Sequence, residues 1–215
     1  MILFPDPAMK LLDIHSHREY PEAITSCSPL GFAPKAGQYY SVGIHPWNVT
    51  ADYRKDRDAL LRIADDDAVL ALGEAGLDKL VEVDMDLQTV VFKLQIELVE
   101  QVGKPLIIHS VRTSNELIRL KKQYNPKVPW ILHGFRGNKN IADALVDEGF
   151  YLSFGEKYQL EALKAVPPER MFVETDESLV GITSLYGKLA GELSLTDNQF
   201  MAQIRQNIEE VFFNR

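Results

Sequence analysis

Eight short apolar runs, each closed by a Gly, Pro or polar break and most of them followed by a helical pattern, constrain this chain more than any other feature. The runs span residues 10–14, 23–27, 39–43, 69–73, 105–109, 129–133, 150–154 and 171–174, and helical periodicity covers 52–64, 84–102, 113–124, 138–148, 156–165 and 196–213. Strands alternating with amphipathic helices build parallel sheets, and eight is the strand number of a barrel. The expected fold is α/β, a TIM-type (β/α)8 barrel. It is trimmed by one or two helices near the second strand, because PEAITSCSPLGFAPKAGQYY leaves no room for two full helices. Local signals agree with the boundaries: Thr50 or Asp52 can cap the first helix, Gly103 follows the long one, and Thr196 with Gln199 forms a capping-box pattern.

Composition narrows the class. A chain of 215 residues, 46% hydrophobic, carries one substantial core, so residues 1–215 are expected to form a single domain. The only cysteine, Cys27, excludes an intramolecular disulfide, and a cytoplasmic location is the expectation. The opening MILFPDPAMK is interrupted by Pro5, Asp6 and Pro7, which fits neither a signal peptide nor a membrane span. No membrane association and no obligate protein partner are expected. A net charge of −8 argues against adhesion to nucleic acid through a broad basic surface, although carboxylates that hold cations inflate that count.

The chemistry-bearing residues sit where the runs end. His15 and His17 follow KLLDI, His45 follows YYSVGI, His109 ends PLIIH, His133 follows PWIL, Glu74 closes VLALGE and Asp176 closes MFVETD. In a parallel barrel those ends gather at one face, where active sites lie. Residues two apart on a strand share a side, so Asp13, His15 and His17 are expected to point into the barrel mouth, with Asp13 orienting a ring. A carboxylate at a buried strand end is costly unless paired or bound to a cation, and the two oxygens of Glu74 can bridge two metals. A salt bridge at the rim would explain Glu74 if it stood alone, and a hydrogen-bonded core residue would explain any one of the histidines. The set together reads as a divalent-metal site. Alternation puts Glu174 and Asp176 on one side, and spacing does not choose between them; Asp78 reads as the start of a loop. His45, between Gly and Pro, reads as a substrate contact or general acid. Arg136 can clamp a phosphate oxygen; Arg112 is a second candidate, more simply read as a solvated rim residue.

In order, the segments D-I-H-S-H, G-I-H-P, L-G-E-A-G-L-D, Gln88-x-x-x-Phe92-x-x-Gln95, P-L-I-I-H-S, L-H-G-F-R-G, Y-L-S-F-G, E-T-D and N-I-E-E-V-F resemble the TatD family of metal-dependent deoxyribonucleases, within the amidohydrolase-type barrel superfamily. The resemblance runs nearly end to end. It implies two divalent ions, Mg, Mn, Zn or Ni: His15, His17, Glu74 and Asp176 would hold one, and Glu74, His109 and His133 the other. Asp176, not Glu174, matches the family ligand and is the implied proton acceptor for the attacking water. His45 matches a position near the scissile phosphate. Two segments depart from the family: H-G-F-R-G stands where many relatives carry Cys and Ser, and E-S-L-V follows E-T-D in place of a small residue, proline and an aromatic. The short stretch between His17 and His45 also removes material that normally walls the cleft.

Phosphodiester hydrolysis is the implied activity, with DNA or another phosphodiester as substrate. Two alternatives stand beside it: hydrolysis of a small-molecule amide or ester at the same metals, and a catalytically silent metal- or partner-binding module. Related barrels often bridge their metals with a carboxylated lysine, whereas the fourth strand here ends in Glu74, which favours the nuclease reading.

Overall fold

The computed structural model of the protein describes residues 12–214; positions 10 and 11 of the first expected strand, and the MILFPDPAMK stretch, lie outside them. Eight strands form one sheet in sequential order, every neighbouring pair parallel: β1 (Asp13–Ser16), β2 (Ala23–Cys27), β3 (Tyr39–Val42), β4 (Val69–Asp78), β5 (Leu106–Val111), β6 (Trp130–Leu132), β7 (Tyr151–Phe154) and β8 (Met171–Val173). The ends of the sheet meet at the mouth. Ser16 and Asp176 form a parallel bridge, with Asp176 N donating to His15 O at 3.0 Å and His17 N to Asp176 O at 3.2 Å.

Among the described residues seven α-helices follow from the third strand onward: α1 (Arg54–Ile63), α2 (Met85–Val102), α3 (Ser114–Tyr124), α4 (Lys139–Asp147), α5 (Leu160–Ala165), α6 (Ile182–Glu192) and α7 (Asp197–Ile208). Among the described residues, neither the β1–β2 nor the β2–β3 connection holds an α-helix; the latter has one 3-10 turn at Pro29–Gly31. The trimmed barrel is thus as expected. Among the described residues no helix is long and apolar enough to cross a membrane.

Helix ends follow capping chemistry. Asp84 caps α2 through Leu87 N, Gly103 ends it in the left-handed region, and Thr196 with Gln199 completes the capping box of α7, each satisfying backbone groups that a helix end leaves orphaned. Three expectations are corrected. Neither Thr50 nor Asp52 caps α1, whose N-cap is Tyr53 with no side-chain bond. Helix α5 begins at Leu160 instead of 156. Helix α6 lies where no helical pattern was expected: it carries Gly187 and Gly191, yet Ile182, Leu185, Tyr186 and Leu189 repeat at helical spacing and are buried. Burial of that face outweighs the glycine propensity.

Helix α2 connects the core to the site. Val91, Phe92, Ile96 and Val99 bury its apolar side. Gln88 and Gln95, seven residues apart and therefore on one face, are buried as well. Gln95 accepts from Ile44 N at 2.8 Å and donates to Ile44 O at 3.1 Å, while Gln88 accepts from Asp78 N at 2.8 Å and donates to Asp78 O at 3.0 Å. Two side-chain amides thus pin the backbone next to His45 and at the end of β4.

Candidate metal centre

Glu74 stands at the middle of the site, not at a strand end: β4 runs four residues past it. The β4–β5 register shifts between Leu72 and Ala75, an extra residue of the kind that re-aims a side chain. The flanking glycines permit it. A Cβ on Gly73 would lie 2.4 Å from Ile107 O, and one on Gly76 2.0 Å from His109 O, and both have positive φ, +137° and +154°. His15 lies within β1 and His109 within β5, also before their strands end. His17, His133, His45 and Asp176 lie just beyond theirs.

Around the buried Glu74 carboxylate the ligands divide. Oε2 faces His15 Nε2 at 3.4 Å and His17 Nε2 at 3.5 Å, and Asp176 Oδ1 lies 3.9 and 3.5 Å from the same two nitrogens. Oε1 faces His109 Nδ1 and His133 Nε2, both at 2.8 Å, and His45 Nε2 at 3.1 Å. Three sets have the spacing to hold an ion: His15, His17 and Asp176; His15, Glu74 and His133; His45, Glu74 and His109. Every expected ligand is therefore brought together. The chemistry of the donors fits a divalent cation, since imidazole and carboxylate suit the first-row metals. So does an orphan: His15 is fully buried and neither of its ring nitrogens has a hydrogen-bond partner among the described residues, a cost that an ion would remove.

Outer carboxylates hold the rings. Asp78 Oδ2 lies 3.2 Å from His109 Nε2, and Glu174 Oε1 lies 3.4 Å from His133 Nδ1 while accepting from Gly134 N at 2.6 Å. Each leaves the opposite nitrogen for the centre, the arrangement that fixes metal-ligating imidazoles. This separates the two acids that spacing could not. Glu174 is fully buried behind His133, whereas Asp176 leaves the strand through a left-handed residue, φ 54°, and faces the cleft. Asp78, expected to start a loop, is instead the last residue of β4 and holds His109.

Asp13 is a correction of another kind. It orients no ring: Oδ1 accepts from His15 N and Thr175 N, and Oδ2 from Tyr20 and Thr175 hydroxyls. It fastens β1 to the end of β8. Burial pushes its pKa up to about 6 despite those bonds. For Glu74 burial opposes ionisation, but the imidazoles of His133, His15 and His109 outweigh it and hold the carboxyl well below its ordinary range. His133 is buried between Glu74 and Glu174, whose charges overcome desolvation and raise it well above the ordinary histidine value.

His45 caps a 3-10 turn at Pro46–Asn48, its Nδ1 accepting from Trp47 N at 3.1 Å. The ring proton therefore sits on Nε2, directed at Glu74. Arg136, mostly exposed, has a guanidinium nitrogen 3.8 Å from Asp176 Oδ2. These residues, with Arg112, line a cavity of about 810 Å³ at the barrel mouth.

Residues 28–178 match the family model of TatD related DNases. An uncharacterized metal-dependent hydrolase of Buchnera aphidicola subsp. Baizongia pistaciae is 30% identical over 80% of this chain and 68% of its own length. The uncharacterized metal-dependent hydrolase YabD of Bacillus subtilis is 31% identical over 64% of this chain, which spans 58% of that protein. The Deoxyribonuclease Tat-D of Schizosaccharomyces pombe is 31% identical over 50% of this chain and 38% of its own. In fold, the chain is similar to the crystal structure of YjjV, a TatD homolog of Escherichia coli, with a TM-score of 0.84 at 18% identity, covering 95% and 98% of the two chains.

Proposed function

The chain belongs to the TatD family of metal-dependent hydrolases, and from that premise we propose that it hydrolyses phosphodiester bonds of DNA at a centre of two divalent ions. The observation that carries this reading is the division of Glu74, with one oxygen toward His15 and His17 and the other toward His109 and His133. One carboxylate shared by two ligand sets suits a two-ion displacement at phosphorus. In this reading His15, His17, Glu74 and Asp176 hold one ion, and Glu74, His109 and His133 the other. Of Mg, Mn, Zn and Ni, the imidazole-rich donors suit Zn and Ni best, and the carboxylates of Glu74 and Asp176 are what would serve Mn or Mg. The name of the fission-yeast relative favours DNA.

Ions bound there supply Lewis-acid stabilisation of the phosphoryl group and a water of lowered pKa. The chain's own groups do the remainder. Asp176, at the cleft edge, takes the proton of the attacking water. Arg136 neutralises a non-bridging oxygen through charge-assisted hydrogen bonds. His45, its ring fixed by the bond from Trp47 N and facing Glu74 through Nε2, contacts the phosphate at the edge of the ligand set. Glu74 would act as a carboxylate shared between the two ligand sets, its charge balanced by the cations they hold. We place the reaction in the cytoplasm, where a lone thiol such as Cys27 stays reduced.

A small-molecule amide or ester is the second reading, favoured by the net charge of −8. The test is an assay of single-stranded DNA with Mg or Mn for the wild type, Glu74→Gln and His133→Ala, beside a panel of amides and lactones. DNA hydrolysis that falls at least 100-fold in both variants is expected. Equal activity in all three proteins would refute the assignment, amide turnover without nuclease activity would reverse the ranking, and bound metal with no turnover would leave a binding module.

A further inference from the structure

One feature of the cleft lies outside the ligand set. Trp47, in the turn after β3, is 59% exposed and lines the cavity. An indole left in water beside a polar centre forgoes a large apolar burial, so its position calls for a partner. The ring is nevertheless fixed. Nε1 donates to Asp78 Oδ2 at 2.7 Å, and the ring centroid lies 5.1 Å from that of His45 and 5.9 Å from that of His109, at interplanar angles of 90° and 78°. With its only polar atom bonded, the exposed part of Trp47 is carbon surface held rigidly next to two residues of the centre.

From this geometry we infer that Trp47 is a stacking platform for the planar base next to the scissile phosphate, and that the site takes nucleotides rather than bare phosphodiesters. This rests on the phosphodiesterase reading and deepens it. Each base has a π-face, so stacking on an aromatic residue holds a nucleic acid without regard to sequence. Preorganisation adds to it, since Asp78 has already removed the indole's rotational freedom and little ordering remains to be done on binding. Asp78 also holds His109, so base position and ligand position are set by one carboxylate. A sequence-tolerant platform fits a chain whose net charge of −8 offers no broad basic track for a phosphate backbone.

The two tryptophans allow a direct test, because Trp130 is fully buried and only Trp47 can be quenched by a ligand. Metal-free protein is titrated with deoxyadenosine monophosphate and with base-free deoxyribose phosphate while fluorescence is read. Quenching by the nucleotide alone is expected, and its loss in Trp47→Ala. In parallel, KM and kcat are measured on single-stranded oligonucleotides with or without an abasic residue beside the cleaved bond. Trp47→Ala should raise KM roughly tenfold more on the intact substrate than on the abasic one, and Trp47→Phe should recover most of that difference. Equal KM changes on both substrates, or no quenching, would overturn the inference while leaving a measured nuclease activity standing. Quenching by the nucleotide without any hydrolysis would instead support the platform and refute the phosphodiesterase reading.

Discussion

Glu174 stands behind His133: its Oε1 lies 3.4 Å from Nδ1, and the far nitrogen, Nε2, meets Glu74 at 2.8 Å. The acid never reaches the cleft. It acts through the ring, fixing which nitrogen faces the centre, and it ties Gly134 N to the same place at 2.6 Å.

Glu174→Gln keeps the shape and the acceptor for Gly134 but removes the charge. Loss of such an outer partner costs about 10–100-fold in metal affinity. Titration calorimetry with Zn or Mn, alongside an unchanged circular dichroism spectrum, checks it; unaltered affinity would show that Glu174 is structural only.

Gly76→Ala places a methyl 2.0 Å from His109 O on a backbone with φ +154°. The obstacle is backbone of the adjacent strand, so it cannot be relieved by rotating a side chain. A loss of about 3 kcal/mol, the upper end of what a strained backbone residue costs, is expected in urea unfolding, with reduced bound metal because His109 moves. A variant as stable as wild type would show that β4 and β5 can separate there.

Gln95→Leu conserves volume and strands Ile44 N and Ile44 O, which Gln95 alone pairs among the described residues. Each orphaned buried group costs about 1–3 kcal/mol. The midpoint of urea denaturation should fall accordingly, and activity should fall further than stability accounts for, because Ile44 precedes His45.

Lys121 tests the opposite end of the barrel. Its Nζ donates to Gly149 O at 3.0 Å and lies 4.4 Å from the ring centre of Phe150 and 5.5 Å from that of Trp130. Burial, with the nearby Arg170, lowers its pKa from 10.5 to about 8, against a smaller opposite pull from Glu148. The folded chain therefore binds fewer protons than the unfolded one between those values, so the penalty is complete below pH 8 and fades as pH rises to 10.5. Wild-type stability measured against Lys121→Met should rise across that window; a pH-independent difference would refute the shift.

The barrel was legible because its signal is repeated. Residues 23–27 and 150–154 are apolar runs bounded by turns, and strands lie there. That these side chains gather at one mouth was legible because His15, His17, His45, His109, His133, Glu74 and Asp176 each end or follow such a run. What failed did so where a regular period breaks. Alternation along β4 does not survive the register shift at Glu74, so an acid expected at a strand end proved to lie in mid-strand. The left-handed turn at Asp176 removes it from the face it should have shared with Glu174. The roles of Asp13, Asp78 and Gln95 depend on partners 162, 31 and 51 residues away, and a single sequence carries no local trace of such pairings.

Closure of the barrel gives the metal centre a part in stability. β1 and β8 meet at the bridge between Ser16 and Asp176, and the residues on either side of that seam, His15, His17 and Asp176, form one of the sets able to hold an ion. An ion bound there would be a ligand of the closed seam, and by linkage it would lower the equilibrium ratio of open to closed seam by the factor 1 + [L]/Kd. Hydrogen exchange at His17 and Asp176 amides becomes a gauge of occupancy, and depletion of metal loosens the barrel from its N-terminal strand inward.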